Sequence, residues 1–176
     1  GVGDYINVTD SGTMLDFDDN GNYTWSAWIN LSALGNEQYI ISKQQQISCI
    51  TECGGYVVFV NSSSFLSLGT FNSVLGETTS EVSSTATLTA KNYTHIAVVF
   101  NTESNVSIYI NGLLNGTGSA TLLDESISAV RIGSGFNGTL DEVAIWNRTL
   151  SANEIKNLYR LNVDKYFWKV NVSDGT

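Results

Sequence analysis

Tyr23-Thr-Trp-Ser-Ala-Trp-Ile-Asn-Leu31 reads with a period of two. One face carries Tyr23, Trp25, Ala27, Ile29 and Leu31; the other carries Thr24, Ser26, Trp28 and Asn30. Alternation of this kind marks a strand with one buried face, and Trp28 is the exception on the polar side. Working outward, similar short runs predict strands at Tyr5–Thr9, Gln38–Lys43, Gly55–Val60, Phe65–Phe71, Thr94–Asn101, Val106–Ile110, Leu113–Gly118, Ala129–Gly133 and Thr139–Trp146. Asn111-Gly112, between Ser-Ile-Tyr-Ile and Leu-Leu, is the strongest hairpin signal and predicts a type I′ turn. Many short strands with turns and no helices between them predict an all-β chain, two antiparallel sheets stacked as a sandwich.

One short C-terminal helix is expected. Ser151-Ala-Asn-Glu154 is a capping box, in which the Ser hydroxyl accepts the Glu154 N–H and the Glu side chain reaches back to Ser151. Ile155, Leu158 and Tyr159 then share one helical face, and the helix should end near Arg160. Residues 1–160 read as one domain. Residues 161–176 read as a trailing segment whose Tyr166-Phe-Trp-Lys-Val-Asn-Val172 is a further strand, closing this domain or opening the next.

With 8 basic against 17 acidic residues the net charge is −9. No Lys/Arg patch is present to neutralise phosphates, which argues against nucleic acid as a partner. The longest apolar runs, Tyr56–Val60 and Ile96–Phe100, are far short of the roughly 20 residues a membrane helix needs, so no membrane insertion by this chain is expected. The start at Gly1 without Met reads as a processed or excised chain. Asn-X-Ser/Thr occurs ten times, at Asn7, Asn22, Asn30, Asn61, Asn92, Asn105, Asn115, Asn137, Asn147 and Asn171. Random placement of the chain's 18 Asn and 38 Ser plus Thr would give about four. That excess points to an extracellular or cell-surface glycoprotein. Cys49 and Cys53 are close enough in sequence to close a small disulfide loop worth about 2 kcal/mol. Free thiols are the alternative, and zinc would need ligands beyond the distant His95.

The order of these pieces resembles the laminin-G-like jelly-roll family of concanavalin A/pentraxin architecture. The resemblance rests on Gly3-Asp-Tyr-Ile-Asn-Val8, Tyr23–Ile29, Tyr39-Ile-Ile-Ser-Lys43, Tyr93–Phe100, Val106–Gly112, Arg131-Ile-Gly133 and, most specifically, Gly138-Thr-Leu-Asp-Glu-Val-Ala-Ile-Trp-Asn-Arg-Thr-Leu-Ser151. It implies a two-sheet antiparallel jelly roll from Gly3 to about Tyr159. Family members usually carry one more strand ahead of Gly3–Val8. Here that strand would come from upstream sequence, from Tyr166–Val172 or from a neighbouring subunit.

Chemical motifs are sparse. Gly133-Ser-Gly-Phe-Asn-Gly138 matches G-x-G-x-x-G, but a strand follows it where a dinucleotide site needs a helix N-terminus, so it reads as a turn. His95 alternates with Ala97 and Val99 and reads as a sheet histidine rather than a catalytic base. Glycoside hydrolysis, as in the jelly-roll laminarinases, needs facing carboxylates. Adjacent Asp141 and Glu142 on a strand would point to opposite faces, and Asp124-Glu125 fails likewise.

Asp16-Phe-Asp-Asp-Asn-Gly21 places oxygens at Asp16, Asp18 and Asn20 like the first half of an EF-hand loop. Its twelfth position is Ala27, so it is no EF-hand, and a solvated turn competes with calcium there. The resemblance implies a structural calcium held by Asp141 with Asp4 or nearby carbonyls; a carboxylate satisfied by backbone N–H groups is the competing reading. For a sugar ligand, Trp28 and Phe136 are the candidate aromatics. The expected function is a non-catalytic, calcium-stabilised module for adhesion or for glycan or protein recognition. The alternative is a structural subunit of a surface layer or filament, partnered by copies of itself.

Overall fold

The computed structural model describes residues 4–9, 15, 17, 20–44, 54–72, 78–121 and 129–161. Among these lie eleven strands and one helix: β1 (Ile6–Val8), β2 (Tyr23–Leu31), β3 (Gln38–Gln44), β4 (Gly54–Val60), β5 (Phe65–Asn72), β6 (Thr78–Thr87), β7 (Tyr93–Phe100), β8 (Asn105–Ile110), β9 (Leu113–Ser119), β10 (Val130–Ile132), β11 (Gly138–Trp146) and α1 (Ala152–Leu161). They build two antiparallel sheets, ordered β1-β10-β3-β4-β5-β6 and β11-β2-β7-β8-β9. This is the two-sheet sandwich that the alternation predicts, with the jelly-roll architecture that the resemblance implies and the late helix that the capping box predicts. The Tyr166–Val172 segment lies outside the described residues.

The core follows from β2. Its apolar face (Tyr23, Trp25, Ala27, Ile29, Leu31) packs against Tyr56, Val58 and Val60 of β4, Leu66 and Leu68 of β5, and Ile96, Val98 and Phe100 of β7. Phe17 enters from the preceding loop and stacks on Tyr23 at 4.0 Å and Tyr56 at 5.1 Å. The polar face of β2 is covered as well, which explains why Thr24 and Ser26 are buried. Thr24 Oγ1 donates to the Arg148 carbonyl at 2.9 Å and accepts from the Leu150 N–H at 3.0 Å, fixing the run from β11 into α1. Trp146 Nε1 donates to Ser26 Oγ at 3.2 Å.

Helix α1 starts at the expected box: Glu154 Oε2 accepts from the Ser151 N–H at 2.8 Å, and Ser151 Oγ accepts from the Glu154 N–H at 3.3 Å. Arg148 pairs with Glu154 at 2.8 Å. Hydrogen bonds from Arg148 and Ser151 hold that carboxyl at about 2. Ile155 and Leu158 then pack on Ala97, Val99 and Leu150, forming a second, smaller core on the outer face of the sheet. The Asn111-Gly112 turn has φ of 51° and 74°, both positive as type I′ requires.

One strand escapes the sequence reading. β6 is Thr-Thr-Ser-Glu-Val-Ser-Ser-Thr-Ala-Thr, with Val82 as its one large apolar residue. It pairs with β5 through two register shifts and is a polar edge strand. Its other side closes the sandwich against β9, the edge of the opposite sheet. Asn115 Oδ1 accepts from the Thr85 and Ala86 N–H groups at 3.2 and 2.9 Å, and Thr85 Oγ1 donates to the Asn115 carbonyl at 2.8 Å. Gly116 and Gly118 permit this approach: a Cβ at Gly116 would lie 2.6 Å from the Ser83 carbonyl oxygen, and one at Gly118 2.8 Å from Val82. Gly116→Ala should therefore destabilise the fold by about 1–3 kcal/mol through overpacking against backbone. Urea denaturation measures it, and an unchanged midpoint would show that this seam is slack.

Candidate functional site

The opposite seam, between β1 and β11, does not close. Ile6 and Val8 pair with Ile132 and Val130 and point between the sheets, yet Ile6 is 63% exposed. The gap forms a cleft of about 540 Å³ lined by Asp4, Tyr5, Ile6, Ile132, Gly133, Phe136, Gly138, Leu140, Asp141, Glu142 and Val143. Its apolar wall comes from both sheets, through Ile6 and Ile132 on one side and Leu140 and Val143 on the other.

A bulge shapes its acidic side. Asp141 pairs with Trp28, but pairing resumes only at Ala144 with Ser26, so Glu142 and Val143 together oppose Ala27. Glu142 adopts φ of 48°, a conformation unusual for a residue with a side chain, and its N–H donates to Asp141 Oδ1 at 2.9 Å. The extra residue breaks the alternation. Asp141 and Glu142 both border the cleft. Asp4 joins them from the lead into β1. No Lys or Arg is among the described lining residues, so the local field favours neutral or cationic ligands.

Asp4 and Asp141, the pair implied for calcium, are thus brought to one place. Among the described residues, however, no group of three or more His, Cys, Asp or Glu could hold a metal. Calcium takes six to eight oxygens, so at Asp4 and Asp141 nearby carbonyls would have to complete the set. Asn20 is exposed, whereas Asp16 and Asp18 lie outside the described residues. So do Cys49, Cys53 and Asn171.

The two candidate sugar platforms are corrected. Trp28 is only 8% exposed, because α1 lays Tyr159 over it in a stack at 5.8 Å, with His95 at its edge at 5.4 Å. Phe136, 5% exposed, belongs to the main core: its N–H donates to the Gly133 carbonyl, and the turn folds its ring inward. Neither offers an open ring face. The exposed aromatic near the cleft is Tyr5 instead, with the Arg131 guanidinium 5.6 Å over its ring.

Of the described sequons, Asn7, Asn22, Asn92, Asn105, Asn137 and Asn147 are exposed, while Asn30, Asn61 and Asn115 are half-buried. Asn61 uses its whole amide to shape the β4–β5 turn. Its Oδ1 accepts from the Ser63 and Phe65 N–H groups, and its Nδ2 donates to Ser67 and Glu81.

A family model for laminin-G-type domains, that of the concanavalin A-like lectin/glucanases superfamily, matches residues 1–156. The chain belongs to this superfamily. A search of curated protein sequences gave no significant match. Among solved structures, this concanavalin A-like chain is similar to the botulinum neurotoxin serotype D binding domain, at 17% identity and TM-score 0.67, over 93% of this chain and 41% of that one. It is similar to the heptameric SAP-like pentraxin of Limulus polyphemus, at 19% identity and TM-score 0.56, over 78% and 69%. A candidate carbohydrate-binding protein from Bacteroides ovatus matches at 16% identity and TM-score 0.59, over 86% and 43%. At such identities the likeness shows the shared concanavalin A-like fold alone. The chain spans about two-fifths of the toxin binding domain. No helix among the described residues is long and apolar enough to cross a membrane.

Proposed function

We propose that this chain is a non-catalytic, extracellular binding module that takes neutral carbohydrate in the cleft between β1 and β11. The observation carrying this reading is the cleft itself, where Asp4, Asp141 and Glu142 stand around an apolar wall with no cation among the described lining residues. Carboxylates accept the hydroxyls of a sugar through charge-assisted hydrogen bonds, and the apolar wall suits the C–H face of a pyranose. Membership of a lectin-containing superfamily supports it, as does similarity to binding domains and to a candidate carbohydrate-binding protein. Six exposed sequons support secretion with N-glycans attached. Recognition by this route takes no step through a metal.

An immobilised panel of neutral, sialylated and sulfated oligosaccharides tests the proposal. Binding is expected to neutral members and not to anionic ones, which the carboxylates repel. Asp141→Asn keeps an oxygen that can accept from the Glu142 N–H, so the bulge should survive. Losing the charged acceptor should weaken binding by about tenfold or more. A panel without neutral binders, or binding unchanged in both Asp141→Asn and Glu142→Gln, would sink the reading.

A further inference from the structure

The four outer edges of the two sheets are not equally protected. β6 and β9 seal each other through Asn115 and Thr85. β11 carries a bulge and two adjacent carboxylates, both of which discourage pairing. β1 has neither device. Among the described residues it pairs with β10 alone, and it carries no charge, proline or bulge. Tyr5, Ile6 and Val8 are 51%, 63% and 36% exposed, so three of the seven exposed large apolar residues among the described residues fall within four positions. β1 is only three residues long, but its free side is apolar and uncharged and presents unpaired N–H and C=O groups to which another chain can add.

β1 is also close to self-complementary. A twofold axis at Asn7, its central residue, would set Ile6 of one copy antiparallel to Val8 of another and Asn7 opposite Asn7. Directly opposed residues in such a pair have Cα atoms only about 4.5–5.5 Å apart. Asn7 is the acceptor of the Asn7-Val8-Thr9 sequon and is exposed. Two N-glycans cannot occupy one face at that spacing.

The surroundings of Asn7 form a seat for its first sugar. Tyr5 and Asn7 lie two apart in the extended lead-in and strand, and so share a face. Arg131 sits directly across from Asn7 and holds its guanidinium over the Tyr5 ring. The half-exposed ring offers a surface for sugar C–H groups, and the guanidinium offers donors for hydroxyls. Val130 and Ile132, on either side of Arg131, pack toward the core, so Asn7 and Arg131 lie on the outer face of the sheet, while Tyr5 also borders the cleft.

We propose that Asn7 is an N-glycosylation site whose glycan, seated on Tyr5 and Arg131, guards the open β1 edge against pairing with a second copy of this chain. The inference rests on the chain being a secreted glycoprotein and is independent of what the cleft binds. The test compares three proteins secreted from a glycosylating host: the parent, Thr9→Ala, and Thr9→Ala with Ile6→Lys. Peptide mapping reads sugar at each sequon, and sedimentation velocity over a concentration series reads mass. Expected are a glycosylated Asn7 and a monomeric parent, a doubled mass for Thr9→Ala, and a return to monomer when Ile6→Lys places a charge on the edge. A bare Asn7 beside other occupied sequons, or a monomeric Thr9→Ala, would overturn the guard alone. A chain bare at every sequon would overturn the glycoprotein reading together with it.

Discussion

Trp25→Ala is expected to cost about 3–5 kcal/mol, in line with removal of a large buried aromatic, and to lower Tm by about 10 °C or more. Trp25 has no exposed surface and sits among Phe17, Tyr23 and Tyr56 with ring centroids 5.1–6.4 Å away. Those rings come from a loop and from both sheets, so the void cannot be filled by one neighbour moving. Against a whole-domain stability of about 5–15 kcal/mol, the loss is a large fraction. Trp25 Nε1 is buried without a hydrogen-bond partner, so Trp25→Phe should cost much less than Ala: it keeps an aromatic ring and removes an unsatisfied donor. Calorimetry on both variants checks the order. Equal losses would mean that ring volume at this position is not what stabilises the sandwich.

Acid should loosen the helix-covered face through His95. The ring is almost fully buried between Trp28 and Tyr159, its Nδ1 has no partner, and its backbone N–H donates to Asn111 Oδ1 at 3.0 Å. The Tyr159 ring of α1 lies 6.3 Å from it, and Tyr109 of β8 sits on the same sheet face, opposite Ala97. Burial pushes His95 down from 6.5 to about 4. Between those values the unfolded chain binds the proton more readily than the folded one, so stability rises with pH. The loss begins as pH falls below about 6.5 and is complete near 4, amounting to about 3 kcal/mol. Urea midpoints at neutral and acid pH, for the parent and His95→Gln, separate this from carboxylate titration. The parent should lose more than the variant over that range, and parallel curves would contradict the assignment.

Strand alternation made the sandwich legible because each inward position recurs at every second residue, as Tyr23 through Leu31 do. The capping box marked α1 for an equally local reason. Alternation assigns a face but not what covers it, and so Trp28 looked open although Ile155, Leu158 and Tyr159 were visible as an unplaced apolar helix face. Phe136 was obscured in the same way by a glycine-rich turn whose direction no local pattern fixes. β6 carries too little apolar surface to announce itself; its partner β5 and the glycines of β9 define it. The site was legible only as the Asp4–Asp141 pairing implied by resemblance. The bulge at Glu142 and Val143 is invisible to a period-two reading. Tyr5, Asn7 and Thr9 could have been seen as one face of a strand, but not that the strand would be an edge.

The glycine-lined contact between β6 and β9 makes the sandwich asymmetric in the manner of a bound book. Asn115 and Gly116 lie at the spine, and β1 lies at the fore-edge. Amide hydrogen exchange should therefore grade across the molecule, slowest around Thr85 and Gly116 and fastest at Ile6 and Val8. Fluctuations that part the pages would widen the fore-edge while the binding holds, so guests could come and go without the domain unfolding.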